Sequence, residues 1–65
     1  MTKDIDIFRE ALRLINERGA DAWVFALSKY AHLKANGDTT GAAEWRRIAD
    51  EIARIRKIDS DKAPH

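Results

Sequence analysis

A chain of 65 residues, 45% hydrophobic and 35% charged, is one small globular domain by composition and is too apolar to remain disordered. A net charge of +1 lacks the overall basic excess of a nucleic-acid binder, and the absence of cysteine excludes a disulfide or a thiolate zinc site. No apolar run reaches the length of a membrane span, and Met1-Thr2-Lys3-Asp4 is unlike a secretory signal, so a cytoplasmic protein is expected.

The first helix is predicted over residues 4–18. Asp4 or Asp6 can cap it, because a short acceptor satisfies free backbone N–H groups at a helix start. Ile5, Phe8, Leu12 and Ile15 follow at helical spacing, flanked by Ile7, Ala11 and Leu14, while Arg9, Glu10, Arg13, Asn16 and Glu17 fill the other half of the wheel. Arg18 suits the negative end of the helix dipole, and Gly19 can take the left-handed stop conformation.

A second helix is predicted over 21–36. Its main apolar stripe is Trp23, Val24, Leu27, Tyr30 and Ala31, widened by a weaker set of Ala22, Ala26 and Leu33. Phe25 falls among Asp21, Ser28, Lys29 and His32, on the expected wet face. A helix apolar over so much of its circumference has more than one neighbour to satisfy. Asn36-Gly37 is a turn dipeptide, since both residues tolerate positive φ.

Asp38, Thr39 or Thr40 can cap a third helix, predicted over 39–57. Trp45, Ile48, Ile52 and Ile55 form its stripe, with Ala42, Ala49 and Ala53 beside them. Gly41 lies on the apolar side, where close approach of the second helix is its expected role. The opposite face is a charge ladder that pairs Glu44 with Arg47, Arg46 with Asp50, and Asp50 with Arg54. Residues 59–65 contain Pro64 and are expected to form a disordered C-terminal tail beyond a single domain at 3–58. Short connections make consecutive helices antiparallel, so the fold class is all-α, a three-helix up-down-up bundle. The alternative is an open form in which the first helix packs on a second chain. The expected core is Phe8, Leu12, Ile15, Trp23, Leu27, Tyr30, Trp45, Ile48 and Ile52.

No reaction is written into these residues. His32 shares its face only with Ser28 and Asn36 and reads as an ordinary surface histidine, so no metal is expected. The acids have basic partners three or four positions away, whereas acid–base catalysis needs a desolvated carboxylate. Ser28, Thr39, Thr40 and Ser60 have no base at a recognisable spacing, and the three glycines follow no strand as a phosphate loop would. Catalytic, cofactor-binding and metal-binding residues are therefore expected to be none, and the chain is expected not to be an enzyme.

The run Ala35-Asn36-Gly37-Asp38-Thr39-Thr40-Gly41-Ala42-Ala43-Glu44-Trp45-Arg46-Arg47-Ile48 resembles a group of small bacterial proteins of unknown function, found chiefly in alphaproteobacteria. They share a Gly-Asp turn, a second small residue, then Trp and an apolar stripe, and the likeness spans roughly residues 5–55. It implies an uncharacterised helical protein and carries no activity with it. The same turn is similar to the middle of a tetratricopeptide-type hairpin. Such repeats need about three copies, for which this chain has no room.

So short a chain is marginal. Ordering it costs roughly 1.5 kcal/mol per residue, and apolar burial at about 25 cal/mol per Å² must offset nearly all of that. With disulfides excluded, association is the remaining aid. The expected function is a protein–protein interaction or homo-oligomerisation module, with Phe25, Ala22 and Leu33 as interface candidates and neither a membrane nor a metal partner. The alternative is a small nucleic-acid-binding regulator using Arg46, Arg47 and Arg54, although Asp50 and Glu51 interrupt that cluster and repel phosphate.

Overall fold

The computed structural model describes residues 3–62, with side chains through residue 57. All regular structure among the described residues is helical. Helix α1 runs Asp4–Arg18, a 3-10 turn follows over Gly19–Asp21, α2 runs Ala22–Ala35, and α3 runs Thr39–Lys62.

Helix α1 begins without a side-chain cap. Lys3 holds the cap position in extended conformation and makes no side-chain hydrogen bond there. Neither Asp4 nor Asp6 acts as the expected cap. Both sit in the first turn, where negative charge suits the helix dipole, and the Asp4 carboxylate is held by Arg47 of α3. Gly19 ends α1 at the expected position, but its φ 60° and ψ −126° lie outside the expected left-handed helical conformation, in a backbone shape that side chains disfavour strongly. The chain then makes one tight turn and continues directly as α2.

Three residues end α2 and start α3. The Gly37 N–H donates to the Lys34 carbonyl at 3.1 Å and the Asp38 N–H to the Leu33 carbonyl at 2.9 Å, with Gly37 at φ 82°. This is a Schellman stop. Asp38 then accepts the Gly41 N–H on its Oδ1 at 2.9 Å, capping α3. A Cβ on Gly41 would stand 2.7 Å from Asp38 Oδ2. The small residue thus makes room for the cap, and the expected approach of the second helix is not its reason. Helix α3 also continues five residues past its expected end at Lys57, so 59–62 are helical in place of the expected tail; residues 63–65 lie outside the described residues.

Helix α2 runs back along α3, with Trp23 beside Ala53 and Lys57, Phe25 on Trp45, and Tyr30 beneath Arg46. This is the most extensive contact of the molecule, and α1 lies mainly against α3. Arg47 takes Asp4 at one end of α1, and Arg56 donates to the Ala20 carbonyl at 3.1 Å just past the other.

The core is built from small side chains. Ile7, Ala11, Leu14, Ala22, Ala26, Ala42, Ile48, Ala49 and Ile52 are buried, and Ile15, Phe25, Leu27, Trp45 and Ile55 pack around them. Of the expected core, Ile48 and Ile52 are buried, and Ile15, Leu27 and Trp45 are half-buried against it. Tyr30 is half-buried at the edge. Phe8, Leu12 and Trp23 are not core residues. On α1 and α2 alike, the weaker flanking set supplies the buried residues, and the N-terminal part of the stronger stripe remains outside. Alanine faces let helix axes approach to about 8 Å, whereas opposed tryptophan and phenylalanine would hold them near 10 Å. Ala22 and Ala26 of α2 meet the alanine-bearing face of α3 by that rule.

Candidate interaction surface

The apolar arc of α1 spans about half its circumference, and the core uses half of that arc. Ile7, Ala11 and Leu14 point inward, leaving Ile5, Phe8 and Leu12 with 51%, 36% and 37% of their surface exposed. On α2 the inward set is Ala22 and Ala26, and the leftover is Trp23 at 41% and Val24 at 53%. A folded monomer gains nothing by placing an indole and a phenyl ring in water, and such residues grouped on a face are candidates for contact.

Two concavities accompany these residues. The larger, about 620 Å³, is a groove between α1 and α3, with Ile5, Ile7 and Phe8 on one wall and Arg47, Asp50, Glu51 and Arg54 on the other. The smaller, about 310 Å³, lies between α2 and α3 where Trp23 faces Ala53, Arg56 and Lys57. The α3 residues of the two recesses centre roughly 120° apart around the helix at 100° per residue, so they lie on different flanks.

The expected interface residues lie elsewhere. Ala22 is fully buried in the core, Leu33 is half-buried, and its carbonyl is occupied by the turn that ends α2. Phe25 is half-buried and meets Trp45 edge to face, with centroids 5.8 Å apart and planes at 78°. The Arg18 guanidinium lies 3.7 Å over its ring, and the Lys29 ammonium lies 5.5 Å away. Of the polar neighbours that suggested a wet face, Lys29 lies near the ring, and Arg18 from the end of α1 covers it more closely, through the attraction of cations to an aromatic face. Sequence reasoning missed Ile5, Phe8, Leu12, Trp23 and Val24 as surface residues. The signal was the surplus of apolar positions, which was visible, whereas the choice between two apolar faces was not.

Arg46, Arg47 and Arg54 of α3 are each paired with an acid. Arg46 Nε reaches Asp50 Oδ1 at 3.3 Å, Arg47 is held by Asp4, and Arg54 is held by Glu51. Arg54 thus pairs with Glu51 where Asp50 was expected, and α1 brings Asp4 within reach of Arg47. On α1, Glu10 and then Glu17 hydrogen-bond Arg13 and raise its pKa further; hydrogen bonding to Glu51 does the same for Arg54. All of these groups are exposed, and arginine is charged at every working pH, so the pairs set orientation and contribute little stability. His32 is exposed with Asn36 Nδ2 3.2 Å from its Nε2, and Ser28 Oγ donates to the Val24 carbonyl at 2.9 Å. Among the described residues no three metal-binding side chains converge, and no helix is long and apolar enough to cross a membrane. Comparison with protein-family models, curated proteins and solved structures finds no match.

Proposed function

We propose that this chain is a non-enzymatic interaction module, an up-down-up bundle of α1, α2 and α3 that acts in the cytoplasm by associating with further copies of itself. The observation that carries this reading is the outward stripe of Ile5, Phe8 and Leu12 on α1, with Trp23 and Val24 on α2. Phe8 and Trp23 are the largest apolar side chains of their helices, and burying them would add to the marginal stability of so short a chain. The likeness of residues 35–48 to small uncharacterised alphaproteobacterial proteins accords with this reading and adds no activity to it. The nucleic-acid alternative is set aside because Arg46, Arg47 and Arg54 each face a carboxylate, so phosphate would have to displace three acids.

Light scattering over a concentration series tests the proposal. The expected result is a dimer or larger species at micromolar concentration, with a melting temperature that rises with concentration. A monomer at every concentration, with an invariant melt, overturns it.

A further inference from the structure

We infer that the two apolar recesses fit each other, so that copies of this chain associate head to tail, with Trp23 of one copy seated in the α1–α3 groove of the next. The inference rests on the self-association reading above and specifies its geometry.

Three observations support it. First, the recesses are complementary in form. One presents a protruding indole, exposed over 41% of its surface with Val24 beside it, and the other is a groove of about 620 Å³ walled by Ile5 and Phe8. The groove has room for an indole, and buried tryptophan is the residue that most often anchors a protein contact.

Second, the recesses are opposite in charge. Among the residues whose side chains are described, the Trp23 recess is lined by Arg56 and Lys57 and by no acid. The groove is lined by three acids and two arginines, Arg47 being held by Asp4 and Arg54 by Glu51. That leaves Asp50, whose ion pair among the described residues reaches out of the groove to Arg46 at 3.3 Å, with both side chains more than half exposed. Lys57 has no ion pair or hydrogen bond among the described residues. Seating Trp23 in the groove brings Lys57 of one copy towards Asp50 of the other and adds a pair at the rim, where charges select the partner.

Third, the recesses lie on different flanks of α3. A two-fold contact of either recess with its own kind would bury one stripe and leave the other in water. A heterologous contact uses both in one interface, and its repetition gives a ring or a filament according to whether the rotation closes.

Mixing two blocked variants of the full chain tests this geometry. Phe8→Glu closes the groove and keeps the Trp23 recess, and Trp23→Glu does the reverse. Both positions are exposed, so helicity by circular dichroism should match the parent chain. Ile5→Lys and Val24→Lys, at the more exposed neighbouring positions, replace either variant that loses helicity. At concentrations where the parent chain assembles, each variant alone should run as a single chain. The equimolar mixture should form a species of twice the 7.4 kDa chain mass and nothing larger. Continued self-association of Trp23→Glu, or a mixture that stays monomeric, overturns the head-to-tail geometry while leaving self-association standing. A parent chain that is itself monomeric at all concentrations overturns both.

Discussion

Asp38 and Gly41 form a unit in which the size of one residue permits the chemistry of the other. The carboxylate caps α3 by accepting the Gly41 N–H, and a methyl group on Gly41 would press on that carboxylate. Asp38→Ala is expected to cost about 1 kcal/mol, the usual value of a lost N-cap. Gly41→Ala in the parent chain displaces the carboxylate and loses the same cap, which offsets the roughly 1 kcal/mol that alanine gains over glycine in a helix. In the Asp38→Ala background nothing remains to displace, so Gly41→Ala should become stabilising by up to about 1 kcal/mol. Thermal or urea unfolding of the four chains of this cycle measures that change, and strictly additive effects would show that the two residues act separately. Phe25 is the second residue with a sharp expectation. Its contacts with Trp45 and Arg18 place it among the structural residues, so Phe25→Ala should lower stability by about 2–3 kcal/mol at every concentration. A substitution that weakens assembly and leaves the monomer melt unchanged would return Phe25 to the surface. Helical phase alone misplaced this ring. Its cover comes from Arg18, seven residues upstream and beyond Gly19, and a wheel drawn for one helix contains no term for it.

At the scale of the elements, most of what local physics controls was legible in the sequence. The bounds of α1, the Gly19 stop, the Asn36-Gly37 turn and a cap in the Asp38–Thr40 stretch all follow from residue types whose backbone preferences are strong. The faces were not legible, because α1 and α2 each carry two apolar stripes, and periodicity ranks them by size when packing selects them by fit. The Asp4–Arg47 and Arg56–Ala20 contacts were hidden for a related reason, since they join residues 43 and 36 positions apart. The joint between α1 and α2 yields a further expectation. Gly19 at φ 60° and ψ −126° is the one point where the chain changes direction without a loop. No atom lies within 4 Å of where its Cβ would stand, so Gly19→Ala tests backbone strain free of any clash. It should cost on the order of 1–3 kcal/mol in chemical denaturation, with the helices still formed in the folded state. A neutral substitution would mean that the joint relaxes into an ordinary helical connection.

For the molecule as a whole, the decisive quantity is apolar surface left over after one core has been made. Buried residues come from α1, α2 and α3, and the leftover stripes of α1 and α2 face outward beside α3. If assembly buries those stripes, folding and association share one equilibrium. For a dimer, a tenfold rise in concentration adds half of about 1.4 kcal/mol to the stability of each chain. In a domain of this size that corresponds to a melting temperature higher by roughly 3–5 °C, readable by calorimetry at two concentrations.

Among the described residues, five of the nine buried hydrophobic ones are alanines: Ala11, Ala22, Ala26, Ala42 and Ala49. Substitution should therefore be tolerated in an unusual order. The conspicuous residues, the tryptophan and phenylalanine of the outer stripes, should be exchangeable at smaller cost to the folding of a single copy. The inconspicuous ones should cost more, because a single added methylene group at a site with no free surface forces two helices apart, at about 1–3 kcal/mol each. As this chain diverges, its fold would be recorded in positions that stay small, and its choice of partner in positions free to change.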